Sequence, residues 1–160
     1  LGNRTRVIVM DALARGAPRE KAGLLVGAID RVMTNPPFHD MERHRASPAA
    51  GRRLAHAGGD DVLAGFLRTA VAVLRPGGTV TVIHRADRPE ALIEAMKGRF
   101  GGIVLRPVHP RPSAPAVRLI ATGTKGSRAP TAILPGLVLQ DAEGRPTPEA
   151  EAVLREGKGL

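Results

Sequence analysis

The chain has 160 residues, of which 42% are hydrophobic, and a formal net charge of +9. This length suits one domain with its own core, and the positive charge favours a polyanionic partner such as a nucleic acid. The chain has no cysteine, which excludes disulfides and thiolate metal sites, and no apolar run of transmembrane length, so we expect a cytoplasmic protein without membrane contact.

Two short apolar segments near the start of the chain are predicted strands. Residues 6–11, RVIVMD, are rich in β-branched side chains and end in Asp11, which is typical of a buried strand. Residues 28–34, AIDRVMT, form the second predicted strand. The intervening residues 17–27 are predicted to be a short helix or an irregular crossover.

The second predicted strand runs directly into the sequence Asn35-Pro36-Pro37-Phe38. Proline lacks a backbone donor and has a fixed φ, so neither a sheet nor a helix continues through a Pro-Pro pair. The loop therefore holds the Asn35 amide, a rigid backbone carbonyl and the Phe38 ring in fixed positions. An adenine amino group carries two N–H donors beside a flat π surface, which two acceptors and an aromatic plate would match. Asn-Pro also occurs in ordinary turns, so a structural turn with a core phenylalanine is the alternative.

The rest of the chain alternates between predicted helices and strands. Residues 39–59 are polar and basic and are predicted to be a long loop that contains Arg52 and Arg53. The elements that follow are a helix from residue 60 or 61 that RPGG ends, a strand at 79–85, a helix at 87–98, strands at 102–108 and 116–125, a short apolar run and turn at 136–144, and a helix at 147–157 capped by Thr147. Such alternation predicts a mostly parallel α/β sheet, in which ligands bind beyond the carboxyl ends of the strands.

Positive charge is concentrated in a segment without acidic residues. Between residues 95 and 140 there is no Asp or Glu, but there are seven cations: Lys97, Arg99, Arg106, Arg111, Arg118, Lys125 and Arg128. The segment is either a solvated surface or a face that contacts RNA. We take four residues of the chain as candidate RNA-binding residues: Arg52, Arg53, Lys125 and Arg128. The histidines lack the spacing of metal ligands, so no metal site is expected.

Three stretches of the sequence resemble one known family. Residues 35–38 resemble the (Asn/Asp)-Pro-Pro-aromatic motif of class I, S-adenosylmethionine-dependent amino-group methyltransferases, in which the aromatic residue is most often Tyr. Residues 54–85, LAHAGGDDVLAGFLRTAVAVLRPGGTVTVIHR, are similar to the helix and strand that follow this motif. Residues 125–157 resemble the C-terminal tail of the bacterial enzymes that methylate adenine N6 in valine tRNA.

The resemblance implies a cofactor, a substrate and roles for particular residues. S-adenosyl-L-methionine is the implied cofactor, with Asp11 near its adenine and Asn35 at its methyl group. Asn35, Pro36, Pro37 and Phe38 are the implied catalytic residues. The implied reaction is methylation of the exocyclic amino group of adenine in RNA, with tRNA as the expected partner, by a monomeric enzyme of tRNA processing.

The resemblance also implies an incomplete fold. The expected fold is α/β, the C-terminal part of a Rossmann-like class I methyltransferase sheet that is mostly parallel with a final antiparallel strand. No G-x-G-x-G turn follows any predicted strand. Residues 1–160 are therefore expected to be a single methyltransferase domain that lacks its first two strands, as the C-terminal portion of a longer chain. The sheet should have a gap between the strands at 6–11 and 28–34, and the chain alone should be inactive.

Three other functions stay open from the sequence. The same tetrapeptide could serve methylation of a glutamine amide in a protein, although such enzymes commonly carry Tyr in the motif and lack this tail. A DNA adenine methyltransferase is possible, but no separate target-recognition domain is visible. A non-catalytic RNA-binding remnant of the fold would explain the missing cofactor turn, and the intact motif argues against it.

Overall fold

The computed structural model describes residues 5–37 and 58–159, which form a sheet with helices packed against it. The strands are β1 (Ile29–Thr34), β2 (Leu74–Arg85), β3 (Phe100–His109), β4 (Arg118–Lys125), β5 (Ala132–Ile133) and β6 (Leu137–Val138). The helices are α1 (Ala17–Lys21), α2 (Gly58–Val73), α3 (Pro89–Met96) and α4 (Pro148–Leu154). No helix in these ranges is both long enough and apolar enough to cross a membrane.

The sheet is mostly parallel, with one strand reversed. Its order is β1-β2-β4-β3-β5, and β6 also pairs with β3. Strands β1 and β2 are parallel, as are β5 and β6 with β3, whereas β4 is antiparallel to both β2 and β3. This confirms the predicted mostly parallel α/β sheet. The antiparallel strand, which was expected to be the final one, is β4, and the two-residue strands β5 and β6 follow it.

The core lies between one face of the sheet and the helices α2 and α3. Alternate residues of β2, such as Val80 and Val82, are fully buried on this face. Leu63 and Leu67 come one turn apart along α2 and are also buried, as the apolar stripe of a core-facing helix predicts. Burial of each such side chain contributes about 1.5–3 kcal/mol. In the part of the chain that the structure describes, neither α2 nor α3 covers the opposite face of β1, β2 and β4, and Met33 on it is 83% exposed.

The predicted strand at residues 6–11 is wrong. No strand is found there, and Val7 and Val9 are 85% and 95% exposed. A strand needs a neighbour to accept and donate its backbone hydrogen bonds, whatever its side-chain pattern. In the described residues, nothing pairs with this segment, and β1 pairs with β2 alone. With no strand at 6–11, the gap expected between it and β1 is not observed, and the absence of two strands from the domain stays a prediction.

The strand predicted at 79–85 begins earlier than expected. Helix α2 ends at Val73 as predicted, but β2 is already paired at Leu74, which lies opposite Ile29. The ladder resumes only at Thr79, so RPGG forms an irregular insertion. Gly78 is required there because a Cβ on it would lie 2.9 Å from the Arg75 carbonyl oxygen. Proline and glycine are thus tolerated in β2 because they occupy its bulge.

The C-terminal helix begins as its sequence predicts. The Thr147 hydroxyl accepts a hydrogen bond from the backbone N–H of Ala150 at 3.1 Å, and Pro148 is the first helical residue. Ala150 packs into the core, and Glu149 lies 3.4 Å from the guanidinium of Arg106 on β3. Helix α4 is therefore fixed to the sheet near β3 and β6.

Candidate active site

Strand β1 delivers the Asn-Pro-Pro sequence to the carboxyl edge of the sheet. Its last residue, Thr34, lies opposite Val82 of β2. Beyond it the side chains of Asn35 and Pro37 are exposed, whereas Pro36 is fully buried. The buried ring anchors the loop and the fixed proline φ holds its direction. Asn35 is therefore held at the end of β1 with its amide accessible.

A pocket of about 370 Å³ opens beside Asn35 on the sheet face away from α2 and α3. Its lining residues are Met33, Thr34, Asn35, Thr81, Ile83 and Ile120. The hydroxyl of Thr81 is already engaged, 3.3 Å from that of Thr122 on the next strand. The arrangement offers an apolar surface for a flat ring and the Asn35 amide as a polar group at its rim.

Asp11 lies in a tight turn that is docked on α2. Its carboxylate accepts a hydrogen bond from the backbone N–H of Leu13 at 2.8 Å, and its carbonyl accepts one from Ala14 at 3.0 Å. The next carbonyl, that of Ala12, accepts a hydrogen bond of 2.7 Å from the Thr69 hydroxyl of α2. The side chain of Asp11 is exposed, so a ligand can reach it.

A second pocket of about 370 Å³ runs along the free edge of β1. Ala12 and Thr69 line one side of it, and Val32, Met33 and Thr34 line the side formed by β1. Met33 and Thr34 also border the pocket beside Asn35. The two pockets therefore adjoin across β1, and they bring the turn after Asp11 and the Asn-Pro-Pro loop to the same region.

The other residues proposed from the sequence are not part of this region. Phe38, Arg52 and Arg53 lie outside the described residues. Lys125 ends β4 opposite Phe100, the first residue of β3, and so lies at the amino edge of the parallel strands. Its ammonium group is half-buried and donates to the Leu74 carbonyl at 2.6 Å. Arg128 follows it on the same side and is exposed.

The structure brings together two arginines, Arg85 and Arg118, that no sequence pattern had paired. Arg85 and Arg118 lie directly opposite each other on β2 and β4, at the carboxyl edge. Like charges in this position are destabilising unless an anion balances them. Asp87 binds Arg85 through both of its carboxylate oxygens, one of them at 2.9 Å, and the Arg85 guanidinium lowers the pKa of Asp87. Arg85 ends the strand predicted at 79–85, but Arg118 is the third residue of the strand predicted at 116–125, so the sequence did not indicate that the two are opposite each other.

The described residues contain no cluster of side chains suited to a metal ion. No group of three His, Asp or Glu side chains there could hold a metal ion. Of the histidines that are described, His84 is buried and His109 is 2.8 Å from the Ala114 carbonyl through Nδ1.

Comparison with known proteins places this geometry in a known fold. Neither a protein-family model nor a curated protein matches the chain in sequence. Among solved structures, Atu636 of Agrobacterium tumefaciens, a predicted O-methyltransferase, is similar with a TM-score of 0.73 and 28% identity over 91% of this chain. The chain has the Rossmann-like fold of methyltransferases.

A second structure supports the same methyltransferase fold. TTHA0409 of Thermus thermophilus, a proposed DNA modification methylase, matches 77% of the chain with a TM-score of 0.51 and 19% identity. The chain spans 60% of the length of Atu636 and 56% of that of TTHA0409. The pocket beside Asn35 thus lies at the carboxyl end of β1 in a methyltransferase sheet, and α/β folds bind ligands beyond the carboxyl ends of their strands.

Proposed function

We propose that this chain carries the methyl-acceptor side of an S-adenosyl-L-methionine-dependent methyltransferase that acts on the amino group of adenine in RNA, with tRNA as the substrate class. The observation that carries the proposal is the placement of Asn35 at the carboxyl end of β1, over an apolar pocket, in a methyltransferase fold. A carbonyl acceptor beside an apolar cleft suits an amino group on a flat ring.

The cofactor fits part of the site. Ala12, which follows Asp11, and Thr34, which precedes Asn35, line the same apolar pocket along β1. Asp11 would hold the edge of the cofactor adenine, and the Asn35 side of the pocket would face the methyl group. Bound there, S-adenosyl-L-methionine supplies an electrophilic methyl group on a sulfonium. No acidic residue lines this pocket to bind the ribose hydroxyls.

The chain's own residues contribute positioning rather than acid-base chemistry. The Asn35 side-chain oxygen and the adjacent backbone carbonyl would each accept one N–H of the target amino group. This orients the nitrogen lone pair toward the methyl carbon for an in-line displacement. The cofactor would supply the methyl group, with its carbon–sulfur bond breaking as the nitrogen–carbon bond forms, and the surplus proton would leave the nitrogen toward one of these acceptor oxygens or water. Pro36, buried beneath Asn35, keeps both acceptors in place.

The choice of RNA rests on charge and on the Asn-Pro-Pro sequence, together with the similarity of residues 125–157 to the tRNA-modifying tail. The net charge of +9 favours a polyanion over a protein glutamine. Arg128 at the amino edge and Arg118 at the carboxyl edge are both exposed. An RNA that contacts both would have to cross the sheet from one edge to the other.

Identification of the methylated atom tests the proposal. The protein, as its own cell produces it, is incubated with methyl-labelled S-adenosyl-L-methionine and either tRNA, duplex DNA or a glutamine-containing peptide. Digestion and mass spectrometry then locate the label. We expect N6-methyladenosine from the RNA alone. Label on a hydroxyl oxygen, on DNA alone or on glutamine would refute the proposed substrate while leaving the methyltransferase fold intact.

A further inference from the structure

A small pocket on the outer side of α2 is lined by three arginines. It measures about 190 Å³, and its lining residues are Leu13, Arg15, Arg19, Gly65, Arg68, Thr69 and Ala72. The lining residues that belong to α2 are Gly65, Arg68, Thr69 and Ala72. Because they are three, four or seven positions from Gly65, they share one face of the helix, away from the stripe that packs on the sheet. No lining residue is acidic, and none belongs to the pocket that contains Asn35, whereas Thr69 also lines the pocket along β1.

One of these arginines carries an unsatisfied buried donor. The Nε of Arg68 is buried and has no hydrogen-bond partner among the described residues, the one such side-chain atom found there. An unpaired buried donor on a charged group is costly, and native proteins normally satisfy it with protein, water or an ion. The Arg68 Nη2 atom lies 3.5 Å from the place where a Cβ of Gly65 would be, so the guanidinium borders the pocket wall.

A second arginine is buried with incomplete compensation. Arg19 is only 6% exposed, and its Nε donates to the Leu24 carbonyl at 3.3 Å. Its one carboxylate neighbour in the described ranges, Glu20, is 3.6 Å away and half-exposed. With Arg15 and Arg68, the pocket holds three cations against this single acid. The net charge of these four side chains is therefore +2, which a phosphate dianion would neutralise.

The missing side chain at residue 65 shapes the pocket. A Cβ there would lie 2.6 Å from the Leu13 side chain, so Leu13 can close against α2 only because residue 65 is glycine. The turn that carries Leu13 is also fixed to the same helix by the hydrogen bond from Thr69 to Ala12. Two chain segments are thus locked together around the arginines.

We propose that this pocket is a phosphate-binding site, distinct from the pocket beside Asn35, in which Arg15, Arg19 and Arg68 hold a phosphate group. Guanidinium groups bind phosphate through paired N–H donors, and the Arg68 Nε supplies an unused one. The phosphate comes either from a nucleic-acid backbone or from a free phosphate or nucleotide, and both sources present the same oxygens to the arginines.

Titration of the 160-residue chain with inorganic phosphate, at constant ionic strength set with chloride, tests the site. Arg68→Met keeps an apolar stem but removes the guanidinium, and Arg15→Gln removes the charge of an exposed side chain. Each should weaken phosphate binding by about tenfold or more, as expected for a lost charged hydrogen bond. Arg155→Met, an exposed arginine of the C-terminal region, is the matched control and should bind as the wild type does.

A short RNA oligonucleotide identifies the source. If it competes with phosphate and depends equally on Arg68 and Arg15, the backbone is the ligand; if phosphate alone binds, the ligand is a free phosphate. Circular dichroism checks that Arg68→Met is folded. If Arg68→Met is unfolded, the phosphate affinity of Arg15→Gln decides whether the arginines bind phosphate. Absence of phosphate-specific binding to the wild type, or binding by the folded variants that equals that of Arg155→Met, would overturn the proposal. Neither result bears on methylation at Asn35.

Discussion

Neighbouring residues of the Asn-Pro-Pro loop have opposite environments, and this difference is the basis of the proposed chemistry. Pro36 is fully buried and makes the loop rigid, while Asn35 before it is exposed beside an apolar pocket. An asparagine that only stabilised a turn would have no need to line a pocket, so the position of Asn35 favours a role in binding a ligand. The sequence predicted the rigidity from the two prolines, but it could not predict which proline is buried.

Asp141 shows how a single carboxylate organises the turn before α4. Its Oδ1 accepts hydrogen bonds from the backbone N–H groups of Arg145 at 2.9 Å and Glu143 at 3.0 Å. Its Oδ2 accepts one from the Arg145 guanidinium, also at 2.9 Å. The backbone N–H of Arg145, above all, lowers the pKa of Asp141 below its ordinary value of 3.8. The charged form is therefore favoured in the folded state.

We expect the Asp141 carboxyl to titrate below 3.8 in a carbon-detected NMR titration. Because the folded-state pKa is depressed, the stabilisation is present above the unfolded pKa and is lost as the pH falls through the folded pKa. Arg145→Gln should raise the Asp141 pKa but leave it depressed, since the backbone donors remain. A midpoint at or above 3.8 in the wild type would show that these hydrogen bonds do not form.

Among the elements, local signals predicted helices α2, α3 and α4 and strands β1 to β4, whereas the two-residue strands β5 and β6 were not predicted as strands. The stripe that includes Leu63 and Leu67 indicated α2, and the Thr147-Pro148 start indicated α4. The strand predicted at 6–11 was wrong because a β-branched sequence does not form a strand without a neighbouring strand to pair with. The two pockets beside β1 also depend on which strand edge stays free. That is a property of tertiary pairing, which no local pattern contains.

The positive side chains of the acid-free segment, residues 95–140, lie at opposite edges of the sheet, and this arrangement can be tested. Its cations do not form one face, because Lys125 and Arg128 lie at the amino edge of the sheet and Arg118 at the carboxyl edge. Lys125 is unsuitable for a test, since its ammonium group binds the Leu74 carbonyl. Arg128 is exposed and follows β4, so its removal should leave the sheet intact.

We expect Arg128→Ala to flatten the salt dependence of RNA binding. Each lost phosphate contact lowers the slope of log affinity against log salt by about 0.7–0.9. Filter binding over a range of salt concentrations measures the slope. Arg155→Ala, which removes an arginine paired with Glu151 on α4, serves as the control. Equal slopes for the two variants and the wild type would place Arg128 outside the RNA contact.

At the scale of the molecule, the free edge of β1 limits what the 160-residue chain can bind. One side of the pocket along this edge is formed by Ala12 and Thr69, but no strand pairs with β1 there in the described part of the chain. Asp11 is the single proposed polar anchor for the cofactor adenine. The interpretation of residues 1–160 as the C-terminal part of one methyltransferase domain stays a prediction.

We expect the isolated chain to bind S-adenosyl-L-methionine no more tightly than about millimolar, or roughly −4 kcal/mol. The reason is that one polar anchor beside an open strand edge does not orient the ribose and methionine parts. Titration calorimetry measures the affinity directly. Micromolar binding would mean that the chain builds a complete cofactor site from the residues it has.

The central claim is that Asn35 positions the amino group that is methylated, and its variants test this most directly. Methyl transfer to tRNA and cofactor binding are measured side by side in the protein as its own cell produces it. Asn35→Ala should lower the transfer rate by about a hundredfold or more, as loss of a preorganised polar contact does, while cofactor affinity is retained. Gln140→Ala removes an exposed amide outside the pocket and should transfer at the wild-type rate. A rate for Asn35→Ala within about threefold of the wild type would contradict the account.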